Sequence, residues 1–126
     1  MTKLEQRIYD EMDVEFIRHE NHESIRGNCT PSGDAKIDER CASLIEKKLA
    51  EGNDWAWCAV ECLCTWREIE AEEFLDCCAC DDREEFETSE RAAYMKRICA
   101  TLLRDCFLAQ VDGIEELLAL DKEEAA

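Results

Sequence analysis

A chain of 126 residues has room for one core, and a net charge of −17 at pH 7 argues against direct attraction to nucleic-acid phosphates. An apolar fraction of 46%, with Trp55, Trp57, Trp66, Phe74, Phe86 and Phe107, excludes the composition of a disordered acidic chain. No run approaches the roughly 18 apolar residues that span a bilayer, and Met1 to Arg7 alternates charge where a signal peptide would be apolar. A single cytoplasmic domain is expected, with its ten cysteines as free thiols rather than disulfides.

Leu4, Ile8, Met12 and Phe16 recur every four residues and predict an amphipathic helix over 4–19. Residues 20–34 hold Gly27, Asn28, Pro31 and Gly33 and read as a loop. Asp34 is placed to cap a second helix that ends at Gly52, with Ile37, Cys41, Leu44, Ile45 and Leu49 on its inner face. From Trp55 to Trp66 the residues are aromatic, small or β-compatible, which predicts a buried strand. A second apolar run, Phe74 to Cys80, makes an antiparallel hairpin with it. The charged connection from Arg67 to Glu73 lacks a Gly or Asn to set a tight turn, so an all-helical reading of 54–80 stays open.

Thr88 or Ser89 is placed to cap a long final helix with Ala92, Met95, Cys99, Leu102, Cys106 and Ala109 on one side. Asp112 and Gly113 are expected to interrupt it, Ile114 to Leu120 to resume as a short helix, and 121–126 to be a disordered tail. The expected class is α+β: two N-terminal helices, an antiparallel hairpin and a long C-terminal helix, with an all-α fold as the alternative.

Gly52 is followed by Trp55, Ala56, Trp57 and Cys58, then by Trp66, then by Leu75, Asp76, Cys77 and Cys78, then by an acidic stretch ending in Phe86. Tyr94 and Met95 open the last helix. In this pattern residues 52–95 resemble a group of small proteins from bacteriophages and other mobile elements. In that group the second run reads Leu-Gly-x-Cys-Ser-Tyr, where this chain has Asp76, Ala79 and Cys80 at the Gly, Ser and Tyr positions. Replacing the Gly by Asp76 puts a bulge or close backbone contact in question. The resemblance implies the hairpin-then-helix order and a mobile-element context, and it implies no activity or cofactor.

Cys58, Cys62 and Cys64 share one strand face, and Cys78 and Cys80 share a face of the neighbouring run. Zinc knuckles place paired thiolates on loops, whereas these lie within apolar runs, so buried free cysteines acting as small hydrophobes are expected. The alternative is a small cysteine-based zinc protein using Cys58, Cys62, Cys64, Cys78 and Cys80. His19 and His22, with Cys29 near them, are a further candidate ligand set, although they lack the four-residue spacing of a zincin helix. There is no nucleophile elbow and no Gly-rich phosphate loop. No catalytic residue and no cofactor are assigned, and a non-enzyme is expected.

The negative charge is concentrated. Between Arg67 and Glu90 lie eleven acids against two bases, whereas the first fifty residues hold eleven acids against eight bases. Glu68, Glu70, Glu72, Glu73, Asp81, Asp82, Glu84, Glu85 and Glu87 are the candidate partner-binding residues. The expected partner is a protein with a basic surface, and carboxylates spaced like phosphates suggest a DNA mimic. An inhibitor of a host defence nuclease, of the anti-restriction or anti-CRISPR type, fits that description. The further alternative is an acidic homodimer or accessory subunit whose Trp55 and Trp66 form the interface.

Overall fold

The computed structural model describes residues 1–29 and 32–124. The order is α1 (Lys3–Glu11), β1 (Asp13–His19), α2 (Ala35–Ala50), a 3₁₀ turn (Asp54–Ala56), β2 (Cys58–Trp66), β3 (Ile69–Cys78), α3 (Arg83–Glu87) and α4 (Glu90–Asp121). The class is α+β, with a three-stranded antiparallel sheet in the order β1-β2-β3.

The sheet has one strand more than the hairpin expected from sequence. The helix predicted over 4–19 ends at Glu11, and Asp13–His19 pairs with β2, Phe16 opposite Cys62. A four-residue spacing is also a multiple of the strand period of two, so Phe16 points inward in either conformation. The run Val14, Phe16 and Ile17 favours the strand, and pairing with β2 satisfies its backbone.

The hairpin turn is tighter than expected. Arg67 and Glu68 both have positive φ, 49° and 66°, as a two-residue type I′ turn requires. The charged segment 69–73, predicted as connection, is therefore the first half of β3, with Ile69 and Ala71 on the face of Cys64 and Trp66 and with Glu70 and Glu72 on the other. A bulge survives without the glycine. Cys58 pairs with Cys78 but Val60 with Leu75, leaving an extra residue in β3, and Cys77 takes up the strain at φ 58°.

Side-chain caps set the helix starts. The Thr2 side chain accepts from Glu5 N, Asp34 from Lys36 N and Ile37 N, Asp82 from Glu85 N, and Ser89 from Ala92 N. α4 runs unbroken to Asp121 through Asp112 and Gly113, since one interior glycine costs only about 1 kcal/mol. Ala125 and Ala126, part of the expected tail, lie outside the described residues, as do Thr30 and Pro31 of the expected loop.

One face of the sheet is covered by α4. Ala92, Met95, Cys99, Ala100 and Leu103 pack with Val60, Cys62, Cys64 and Trp66, joined by Ile8, Met12 and Phe16. The buried stripe of α4 is rotated from the expected one, since Leu102 and Cys106 are exposed. Phe86 is fully buried at one end of this core, edge-on to Phe16 at 5.4 Å and beside Trp55 at 6.0 Å. α2 belongs to a smaller cluster, where Ala42, Ile45 and Leu49 meet Cys29 and Trp57. Its expected inner residues Ile37, Cys41 and Leu44 are exposed. The two tryptophans expected at an interface are not both exposed. Trp66 is buried edge-on to Phe107 at 5.2 Å, and Trp55 is half-buried with Arg83 over its ring.

Candidate functional site

Two features built by the sheet are candidates, one on each face. On the face under α4, alternation along β2 sends Cys58, Cys62 and Cys64 inward, all fully buried. Cys99, on the covering helix, completes a cluster in which the Sγ atoms of Cys62, Cys64 and Cys99 all lie within 4.8 Å of one another. Cys62 and Cys64 are 3.6 Å apart, and Cys99 Sγ donates to the Cys62 carbonyl at 3.7 Å. Cys99 was not among the sequence candidates, because a strand–helix juxtaposition has no signature in spacing.

The other cysteine candidates go elsewhere. Cys58 and Cys78 face each other across the hairpin near its open end. Burial pushes their thiols up to about 11 and about 12, which keeps both protonated and poorly nucleophilic at neutral pH. Cys80 is half-buried and its thiol is also raised by burial. His19 and His22 do not form a site with Cys29. His19 Nε2 lies 2.9 Å from Glu61 Oε1, Cys29 is buried with Ala42 and Trp57, and His22 is exposed.

Within the trio, negative charge is most favoured on Cys64. The neighbouring Cys62 and then Cys99 thiols favour it there, and Lys96 adds positive charge, which together outweigh burial. Cys62 is driven the other way, first by its bond to Cys64, then by Cys99 and burial. Cys99 sits at about 12; its bond to Cys62 favours the thiolate, but its bond to Cys64 and burial prevail.

The outward face of the sheet is acidic. Opposite rows read Asp13, Thr65, Glu70; then Glu15, Leu63, Glu72; then Ile17, Glu61, Phe74. Among the described residues, no outward position of β1, β2 or β3 holds a lysine or arginine. Asp13 and Glu70, like Glu15 and Glu72, therefore face each other across the middle strand, roughly 10 Å apart, while acids two positions apart on one strand lie about 7 Å apart. Glu72 is held above the ordinary carboxylate range by sharing a hydrogen bond with Glu61, with desolvation and the charges of Glu61 and Glu70 adding to it. Ile17 and Leu63 are half-buried and Phe74 is 54% exposed, so an apolar centre lies among the acids.

The expected acidic run is thus divided. Glu70 and Glu72 reach the open face beside Asp13, Glu15 and Glu61, which the run did not include. Glu68 occupies the turn, and Glu73 points to the opposite face opposite Cys62. Asp81 pairs with Lys48 at 2.7 Å, Asp82 caps α3, and Glu84 and Glu85 occupy its first turn. Glu85 accepts from Asp81 N, and Glu87 lies 3.5 Å from Arg83. The α3 acids are therefore largely engaged in holding the segment, where the helix N-terminus favours negative charge. The strand-borne acids have a signal in sequence, the alternation of Glu15, Ile17 and of Glu70, Glu72, Phe74, once the strands are recognised.

An open groove of about 590 Å³ lies between α2 and the start of α4, lined by Cys29, Cys41, Leu44, Trp57, Cys77 and Cys80 among others. No helix of the described chain is long and apolar enough to cross a membrane. No family model, curated protein or solved structure matches this chain.

Proposed function

We propose that this protein is a non-enzymatic binding module whose acidic sheet face docks on a basic surface of another protein. The observation that carries the reading is the open face itself, with Asp13, Glu15, Glu61, Glu70 and Glu72 around Ile17, Leu63 and Phe74, His19 beside Glu61, and no lysine or arginine among the described outward strand positions. An apolar centre with a polar rim is how protein interfaces are built. The uniform sign supplies steering toward a basic partner and repels other surfaces. Carboxylates on a rigid strand lattice also mimic the regular charge of a phosphate backbone. With the likeness of residues 52–95 to mobile-element proteins, this favours an inhibitor that occupies the nucleic-acid channel of a host defence nuclease.

The test is capture from bacterial host lysate at low and high salt, with duplex DNA as competitor. A basic nucleic-acid-binding protein should be retained, released by salt and displaced by DNA. Reversing Glu61, Glu70 and Glu72 to Lys should abolish retention, while reversing Glu84, Glu85 and Glu87 should weaken it far less. Retention of only neutral proteins, insensitive to salt, would defeat the reading.

A homo-oligomeric accessory subunit is the second reading. It is favoured by Ile114, Leu117, Leu118 and Leu120, all more than half exposed on the last turns of α4. Sedimentation across a concentration series decides it, since a monomer at every concentration removes that reading.

A further inference from the structure

We propose that Cys62, Cys64 and Cys99 form a three-coordinate site for monovalent copper, Cu(I), at the joint between β2 and α4. The donor set is three sulfurs from two elements, all with no exposed surface and all within 4.8 Å of one another. An ion equidistant from three thiolates at about 2.3 Å holds its sulfurs roughly 4 Å apart, so seating it moves these side chains by less than about 1 Å. The 3.6 Å between Cys62 and Cys64 is slightly under that spacing.

Ligand type and number select the ion. Thiolates without carboxylate or imidazole favour soft cations such as Cu(I) and disfavour Mg²⁺, Ca²⁺ and Mn²⁺. Structural zinc takes four ligands, and among the described residues the converging group contains three. Cys58, the next inward cysteine on β2, is four residues from Cys62, about 13 Å along the strand. Cu(I) is satisfied by three sulfurs in a plane and needs no water, which suits a site closed over by α4. Each thiol that ligates as thiolate gives up its proton to solvent, and the copper stays in the Cu(I) state throughout. Lys96 lies near enough to favour the Cys64 thiolate and offsets part of the resulting negative charge.

Burial at a strand–helix joint also makes the ion a staple. It binds only when β2 and α4 are together, so its binding energy adds to the stability of the folded state.

The experiment uses the full chain with exposed Cys41 and Cys106 changed to Ser, so that surface thiols do not compete. Cu(I) is added anaerobically as its acetonitrile complex, against the chelator bathocuproine disulfonate. One Cu(I) per chain should bind, copper-edge X-ray absorption should show three sulfur neighbours, and the unfolding midpoint should rise. Cys99→Ser and Cys64→Ser should each lower affinity on the order of 100-fold or more, since losing a ligand exceeds the loss of a supporting contact. Cys80→Ser, outside the trio, should leave affinity unchanged. Unchanged affinity in a folded Cys99→Ser variant would overturn the site. A sulfur count of two in the unsubstituted trio would do the same, and it decides the matter if the Ser variants fail to fold. Stoichiometric Zn(II) binding that excludes Cu(I) would overturn the choice of ion.

Discussion

Arg104, near the middle of the last helix, donates through Nη1 to Glu5 Oε1 of the first helix at 2.9 Å, across 99 residues of chain. Glu5 is the one buried charged residue among those described, at 8% exposure, and Thr101 also donates to its carboxylate at 3.5 Å. Removing Arg104 would leave a carboxylate in a site shielded from water. Arg104→Met is expected to cost about 1–3 kcal/mol in urea unfolding, the range for losing a hydrogen bond to a charged group. With Glu5→Gln already present, the same change should cost clearly less. Equal costs in the two backgrounds would show that the pair is not coupled.

Phe86 joins three parts of the chain. Its ring contacts Phe16 and Trp55, and Arg83, three residues earlier, donates to the Phe16 carbonyl at 2.6 Å. Phe86→Ala is expected to destabilise by about 3–5 kcal/mol, while Leu102→Ala, on the exposed side of α4, should stay within roughly 0.5 kcal/mol. Thermal or chemical denaturation of both variants checks the contrast. A similar cost for the two would place the core incorrectly.

The turn at Arg67 and Glu68 uses residues poorly suited to left-handed backbone, and Arg67 compensates by lying 4.9 Å from the centre of the Trp66 ring. Glu68→Gly removes the steric penalty and leaves that stacking in place. It should stabilise the fold by about 0.5–1 kcal/mol, with faster folding if the hairpin forms early. A loss of stability would mean that the Glu68 side chain makes a contact worth more than the strain.

Glu72 gives the fold a pH signature. Its carboxyl is raised by the shared hydrogen bond with Glu61 and by nearby charge, so the native state favours its protonated form. That contribution is present below the ordinary glutamate value of about 4.3 and is lost as pH rises through the higher native value. As Glu72 ionises it meets the negative charge of Glu61 and Glu70. Glu72→Gln should therefore raise the urea midpoint at pH 7 and lose that advantage near pH 4. An equal gain at both pH values would point to packing instead of charge.

Of the four capped helix starts, those at Asp34 and Ser89 were legible because a capping residue precedes a periodic run, whereas the short α3 with its cap Asp82 has no such run and was not expected. The second half of the predicted first helix was not, because the spacing of Met12 and Phe16 suits both helix and strand and only pairing with β2 decides it. The hairpin was visible in Trp66 and Leu75, but its turn was hidden because Arg67 and Glu68 are not turn formers. The acidic face needed β1 to be known, since Asp13 and Glu15 each lie 57 residues from Glu70 and Glu72 respectively. The thiol trio was half legible: Cys62 and Cys64 share parity, while Cys99 joins them through the way α4 crosses the sheet. Which stripe of a helix is buried depends on what it lands on, and both α2 and α4 land differently from their own periodicity.

α4 is longer than the surface it covers. Its 32 residues span about 48 Å at 1.5 Å per residue, against roughly 33 Å for the ten residues of β3. After Leu103 none of its described residues is buried. One helix therefore carries two kinetic regimes. Amides around Cys99 should exchange with solvent deuterium only through global unfolding, whereas those beyond Gly113 should exchange through local fraying, orders of magnitude faster. The far end is thus a built-in reporter, and slowed exchange there would register contact with any molecule that lands on it.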